Sequence, residues 1–407
     1  MKGLTSKFKA IGALMILALI LSGCGESFLS ALRPKGQGAS DILELMILSI
    51  AIMLFVFVVV MIIYVFVLLK FRRKKGQEDF IPEQIEGSHT LETLWTVVPI
   101  VLLLILAVPT VQYTFSLVDT DPQVSAEGEE EEQLWVNVTG KQYWWHFEYD
   151  GMDVTTSQDL YIPTDRKVYL SLHSEDVIHS FWVPTLQGKM DVNPTGNRNE
   201  IWIDAQEEGV YWGKCAEFCG PSHSLMDFKI IAVSPGEFEQ WVNDMQQVSE
   251  DDTPESQVAQ AGQEVYANNC MSCHALGSSP NKIGPNLSNF GDRERIAGVL
   301  EYNKENLIEW IDTKGEEMKP GNLMTTANYD LSDEELDQVA EYLMSLSPSE
   351  ITPENAEDGE YIDSDLSDLF SNQEESEEGG EEGEEGDGEE SEEDSEENSE
   401  EESEDSN

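Results

Sequence analysis

A chain of 407 residues with 40% hydrophobic content can bury more than one core, and its length suggests two or three domains. Its 80 acidic against 23 basic residues give a formal net charge of -57, which excludes nucleic acid as a natural partner. The five cysteines occupy separate neighbourhoods, Cys24, Cys215 with Cys219, and Cys270 with Cys273, so none is left for a structural disulfide framework.

In chain order, Lys2, Lys7 and Lys9 precede an apolar run at 11–21 and then Ser22, Gly23 and Cys24. This pattern predicts a secretory signal over residues 1–23. The cysteine directly after small residues resembles a bacterial lipoprotein box, which implies cleavage before Cys24 and acylation of its thiol; an ordinary signal with an incidental cysteine is the alternative. Within residues 24–120, two apolar stretches at 42–69 and 94–117 are each long enough to cross ~30 Å of hydrocarbon, and Pro99 and Pro109 are tolerated in such helices. Lys70, Arg72, Arg73, Lys74 and Lys75 lie between them, placing the connection on the cytoplasmic side and both outer ends outside. Glu92 opens the second helix at its cytoplasmic end, where a carboxylate either favours the positive helix terminus or begins a proton route.

Past an acidic run at 129–132, residues 134–138 alternate, and 167–172 and 200–204 are β-branched and aromatic. With turn residues at Gly140, Asp150-Gly151, Pro163 and Pro194-Thr195-Gly196, these runs predict an antiparallel sandwich within residues 130–247. A charged linker at 250–255 leads to a small helical domain over 256–348. Its helices are expected at about 258–266 and 305–312 and after Ser332, which forms a capping box with Glu335, while Leu331 and Leu336 staple across it and Val339, Leu343 and Leu346 share one face. From 352 to 407 the chain is acidic low complexity and is expected to be disordered, serving solubility or capturing a basic partner.

Cys270-Met271-Ser272-Cys273-His274 in an exported chain is the attachment signature of a c-type haem, with Cys270 and Cys273 forming thioethers and His274 as proximal ligand. A thioredoxin-like pair is the competing use, but no βαβ pattern surrounds it and His274 would go unexplained. Met318 and Met324 are the candidates for the sixth ligand. Met324, after the Pro320-Gly321 turn, resembles the axial position of small class I cytochromes c, and Ile283-Gly284-Pro285-Asn286-Leu287 resembles their proximal loop, where the Pro285 carbonyl accepts from the His274 ring.

Residues 215–226 pack two thiols, Cys215 and Cys219, with His223 and Met226, and His179 upstream offers a second imidazole. Soft sulfur and nitrogen donors suit copper. A closed zinc tetrahedron leaves Met226 without a role, and a Cys215–Cys219 disulfide leaves both histidines without one. A mononuclear blue copper centre needs only one thiolate, so the second cysteine is surplus. Two thiolates bridging two copper ions use both, with Met226 as the weak ligand of one ion and the Glu217 backbone carbonyl of the other.

This loop, the segment from Asp176 through His179 to Phe181, the aromatic run at 142–149 and the two-helix anchor together resemble subunit II of a haem-copper cytochrome c oxidase. The C-terminal haem motif resembles the bacterial variety with a fused cytochrome c, and the match covers roughly residues 40–347. The resemblance implies a multidomain chain: a transmembrane hairpin, an all-β cupredoxin sandwich, a small all-α class I cytochrome c domain and the acidic tail. It implies a binuclear CuA held by His179, Cys215, Glu217, Cys219, His223 and Met226, with the Glu217 side chain also binding magnesium at the border with subunit I. Glu92 matches the family's carboxylate at the mouth of a proton path. Tyr143 stands at the electron-input position, where many members have tryptophan, and this departure fits an internal haem donor.

The implied function is electron transfer from haem c through CuA to haem a in subunit I, where oxygen is reduced to water with proton translocation, this chain being a non-catalytic subunit of the oxidase. Implied partners are subunits I and III, membrane lipid and an upstream donor such as a cytochrome bc-type complex or a small cytochrome c. The implied place is the bacterial cell membrane, with the copper and haem domains outside. The rivals are a membrane-anchored haem c shuttle lipoprotein with structural zinc, and a nitrous oxide reductase type protein, which shares the copper loop but needs a large catalytic domain and no hairpin. His89, His146 and His173 read as structural or solvated.

Overall fold

The computed structural model describes residues 29–72, 81, 84, 86–120, 133–278, 282–349 and 351. The signal segment with Cys24 and the acidic tail from 352 lie outside the described residues. Two long helices come first, α1 (Gln37–Lys70) and α2 (His89–Val118). Each starts about a turn before its apolar stretch: α1 begins on residues that dock on the next domain, and α2 begins at His89. Apolar side chains are exposed along both, a surface stable only in lipid, and Pro99 and Pro109 sit inside α2.

The middle of the chain is a two-sheet sandwich of ten strands: β1 (Leu134–Lys141), β2 (Trp144–Tyr149), β3 (Val154–Ser157), β4 (Asp159–Pro163), β5 (Val168–Ser174), β6 (His179–Trp182), β7 (Met190–Val192), β8 (Asn199–Ile203), β9 (Gly209–Cys215) and β10 (Asp227–Val233). One sheet runs β3-β2-β1-β5-β8 and the other β4-β10-β9-β6-β7. The sandwich is not purely antiparallel, because β1 pairs with β5 and β4 with β10 in parallel. Such pairings join strands distant in sequence, so no local turn signal announces them. β1 alternates buried and half-buried residues as a strand with one inward face must, and its Val136 and Val138 meet a core of Trp145, Phe147, Phe181 and Phe228. In that core the Trp145 ring lies 5.6 Å from Phe181 and 5.1 Å from Phe228.

The sandwich closes with a helix that the hydrophobic pattern did not suggest, α3 (Pro235–Gln246). Ser234 and Glu237 form a full capping box with Pro235 in the first turn, and the helix buries Phe238, Trp241 and Met245. Trp241 stacks on Tyr161 at 4.5 Å between centroids and also meets Tyr149 and Phe238.

The last domain contains α4 (Gln257–Asn269), α5 (Lys304–Thr313) and α6 (Asp333–Met344), with a two-residue ladder of β11 (Arg295–Ile296) and β12 (Leu300–Glu301) interrupting its helical character. The Ser332–Glu335 capping box starts α6, which buries Leu336, Val339 and Leu343. α4 and α6 cross so closely that a Cβ on Gly262 would fall 1.9 Å from the Gln338 carbonyl oxygen; only glycine permits that crossing.

Both ends of the sandwich are tied down. Towards the membrane, the Gln37 amide that opens α1 donates to Asp204, Ala39 N–H donates to the Leu186 carbonyl at 3.0 Å, and Trp202 Nε1 donates to the Ser116 carbonyl at the end of α2. Towards the helical domain, Lys229 pairs with Glu294 at 2.8 Å and with buried Asp159 at 3.7 Å, and the Asn286 amide donates to Ser157 Oγ at 2.9 Å. Trp241→Ala removes the only tryptophan of α3 from a stacked, fully buried site, and should destabilise the sandwich by about 3–5 kcal/mol, read as a fall in its denaturant midpoint while the haem domain's transition stays in place.

Candidate metal centre and haem cavity

The copper-type donors converge because three strands meet. β6 pairs with the end of β9, Phe181 opposite Cys215, which sets His179 at the start of β6 beside Cys215 at the end of β9. β9 and β10 form a hairpin whose loop is closed by the Cys215 N–H donating to the Met226 carbonyl at 3.2 Å. Both ends of the loop therefore carry a donor to the same point.

The two thiol sulfurs lie 3.9 Å apart. His179 Nδ1 is 3.9 Å from Cys215 Sγ, and His223 Nδ1 is 3.7 Å from Cys219 Sγ. Met226 Sδ lies 3.8 Å from Cys219 Sγ, while the Glu217 carbonyl oxygen lies 3.3 Å from Cys215 Sγ. All six residues named from the sequence thus come together, with one imidazole on each sulfur. A sulfur separation of 3.9 Å is far beyond a disulfide bond of ~2.05 Å. A four-ligand zinc site would have no use for the Met226 sulfur or the Glu217 carbonyl, so the donor set fits a pair of copper ions better. Glu217 is itself an exposed residue, beside Phe218, which is 78% exposed.

Asp176 was not singled out in the sequence, although a carboxylate three residues before a candidate ligand is a recognisable signal. Its Oδ1 lies 2.7 Å from His179 Nε2, fixing the ring so that Nδ1 faces the sulfurs. Burial works to raise the Asp176 carboxyl, but hydrogen bonds from His179 and from the Gln142 and Val177 amides outweigh it and hold it below the usual range. For His179, burial works against protonation, and the bonds to Asp176 and Cys215 more than offset it, raising its pKa. The hydrogen bond from Cys219 leaves the Cys215 thiol strongly acidic. Trp145 covers the His179 ring at 6.0 Å.

The haem motif lines a cavity of about 400 Å³, within the range that holds an organic cofactor. Cys270, Cys273, His274 and Met324 all face it, amid Leu307, Ile311, Val339 and Leu343. Met318 does not line it. His274 Nδ1 lies 2.9 Å from the Pro285 carbonyl, so Nδ1 carries the proton and Nε2 is left as the donor atom; burial lowers the ring's pKa and keeps it neutral. A porphyrin with two thioether links fits this apolar, cysteine-edged space. Lys319 also reaches it: buried, its ammonium donates to the Ala297 carbonyl at 2.8 Å, and burial pushes its pKa down to about 8.

The remaining candidates lie elsewhere. Glu92 is in the first turn of α2, its carboxylate 3.3 Å from His89 Nδ1. Tyr143 is buried at the edge between the two sites and lines the haem cavity with Gln142 and Trp144. His146 is buried in β2, and burial pushes its pKa down to about 4, while His173 lies in β5.

A copper-type centre and a c-type haem cavity on a transmembrane anchor define a membrane-bound electron-transfer protein. Comparison with known families is specific: the cytochrome c oxidase subunit II transmembrane domain matches residues 25–113, the periplasmic domain of the same subunit matches 152–233, and cytochrome c matches 259–347. Cytochrome c oxidase subunit 2 of Bacillus sp. (strain PS3) is 48% identical over 342 residues, covering 81% of this chain and 95% of that one. The subunit 2 of Alkalihalophilus pseudofirmus is 47% identical, covering 83% and 96%, and that of Bacillus subtilis is 43% identical, covering 83% and 98%. The chain belongs to the cytochrome c oxidase subunit II family, in the form that carries its own cytochrome c domain.

Removing the orienting carboxylate should be felt at the metal. Asp176→Asn is expected to weaken copper retention by about 10–100-fold in competition with a chelator, with the haem content unchanged.

Proposed function

We propose that this chain is the electron-input subunit of an oxygen-reducing haem-copper oxidase, receiving electrons at its haem domain and delivering them through the copper loop to haem a in subunit I, where oxygen reduction is coupled to proton translocation. The observation that carries this reading is that one short segment serves both sites: Tyr143 lines the haem cavity, while the neighbouring Gln142 side chain donates to the Cys219 carbonyl at 2.6 Å. Haem and copper, once bound, supply the one-electron exchange that the protein groups lack.

Cys215 and Cys219 would hold a copper pair as thiolates, with His179 and His223 as imidazole donors and Met226 and the Glu217 carbonyl as weaker donors. Asp176 keeps the His179 tautomer that presents Nδ1. Cys270 and Cys273 would hold the porphyrin, with His274 and Met324 as the residues that would bind its iron, Met324 being favoured over Met318 by its place in the cavity wall. Lys282 steadies the attachment segment, its ammonium donating to the carbonyls of Met271 at 2.6 Å and His274 at 3.1 Å. A rigid frame of this kind limits reorganisation when charge changes.

Further roles follow the same reading. The exposed Glu217 carboxylate is a magnesium ligand at the border with subunit I, and Glu92, paired with His89, opens a proton route from the cytoplasmic side. Tyr143 occupies the electron-input position between the chain's own haem and copper. Subunit III, an upstream cytochrome or cytochrome bc-type complex, and a lipid on Cys24 complete the assembly. Domain limits at 24–120, 130–247 and 256–348 belong to the same reading.

Metal counting on the purified complex tests it. Two coppers and one covalent haem assignable to this chain are expected, in addition to the metals of subunit I, with an electron paramagnetic resonance pattern of one electron shared by two equivalent copper nuclei. One zinc and no copper in this chain would sink the reading in favour of the haem-shuttle alternative.

A further inference from the structure

Ser222 is fully buried between two of the copper donors, Cys219 and His223, and its hydroxyl donates to the Pro320 carbonyl at 2.7 Å. Pro320 begins the turn that leads to Met324. Asn322 holds that turn rigid: its side-chain oxygen accepts from the Met324 N–H at 2.9 Å, and its side-chain amide donates to the carbonyls of Lys319 at 2.9 Å and of Gly315 and Lys314 at 3.1 Å. The Ser222 hydrogen bond therefore joins the loop bearing the copper donors to the loop bearing Met324.

The turn at Pro320 is also constrained by its own backbone. Gly321 has φ 79°, and a Cβ there would stand 3.4 Å from the Tyr143 hydroxyl and 3.8 Å from Pro221 Cγ. The other lip of the haem cavity is tied separately, because the Lys141 ammonium donates to the Lys282 carbonyl at 3.0 Å. Of these ties, the Ser222 bond is the one whose two ends lie on the two ligand-bearing loops.

We propose that Ser222 is a positioning residue for electron transfer within the chain: its hydroxyl pins the methionine loop to the copper loop and so fixes the gap that the electron crosses. This rests on the electron-input reading above. The step it serves moves one electron, ferrous haem becoming ferric as the oxidised copper pair gains it, with no bond made or broken and no proton carried. Pro320 contributes only its backbone carbonyl, so the side chain that can be varied is the serine's.

The test uses the intact oxidase complex with Ser222→Ala and Gly321→Ala. In Ser222→Ala, loss of one neutral hydrogen bond should speed amide hydrogen exchange at Asn322 and Met324 roughly two- to tenfold, leave the amides of α4 and α6 unchanged, and slow haem-to-copper transfer after photochemical reduction of the haem by a similar factor. Gly321→Ala keeps the Ser222 hydroxyl but strains the turn beside Pro320, because φ 79° is left-handed backbone that alanine adopts only at a cost, and should slow the same transfer with copper and haem still bound. Wild-type exchange and transfer in Ser222→Ala, with both cofactors present, would overturn the proposal, as would faster exchange spread evenly through α4 and α6. If Ser222→Ala does not retain copper, Gly321→Ala decides alone, and an unchanged transfer rate there counts against the pin. Absence of copper from the unaltered chain would instead overturn the electron-input reading.

Discussion

The closure of the β9–β10 hairpin by the Cys215 amide and the Met226 carbonyl is the constraint from which the rest of the metal centre follows. It makes a hydrogen bond of the sheet double as the base of a ligand loop, so the first and last donors are fixed by backbone pairing rather than by the metal. β6 then brings His179 by the same means, through its pairing with β9. A site whose donors are already near one another needs little rearrangement on loading or on a change of charge. The covering Trp145 ring and the Asp176 carboxylate remove the remaining freedom of the imidazole.

The contact between sandwich and haem domain uses charge in a way that costs stability unless it is complete. Asp159 and Lys229 are both almost wholly buried, and burial raises the Asp159 carboxyl. Glu294 comes from the haem domain to meet Lys229 at 2.8 Å, so the sandwich's buried cation finds its closest carboxylate partner only when the two domains are docked. Arg295, at 5.3 Å over the Trp212 ring, adds a further cross-domain contact. Arrangements that leave such groups unpaired are penalised, which favours one docked geometry over a loosely tethered haem domain.

Much of this was legible in the sequence because the chemistry is carried by short, local motifs. Cys270, Cys273 and His274 are adjacent in the chain, and Cys215 to Met226 is a single loop, so spacing alone brought the donors near one another. The helices with strong end signals, such as α6 after Ser332, were equally readable. α3 was missed although Ser234 and Glu237 carry the same capping signal, because its apolar face of Phe238, Trp241 and Met245 is sparse among polar residues. The parallel pairings of β1 with β5 and β4 with β10 join distant segments, and nothing local encodes them. Asp176 and Ser222 escaped notice for a related reason: each acts on a neighbour, through a bond whose other end only the fold supplies.

The seating of α1 on the sandwich carries a mechanical consequence. The amide of Gln37 is held by Asp204, the next turn by the Leu186 carbonyl, and the far end of α2 by the Trp202 indole, so the globular head cannot tilt on the hairpin without breaking bonds at both helices. Head and stalk behave as one lever. Any integral membrane protein that packs along the two helices thereby also sets the height and bearing of the copper loop above the lipid, and a shift in bilayer thickness that changed the helix tilt would be transmitted to the redox centre as a displacement.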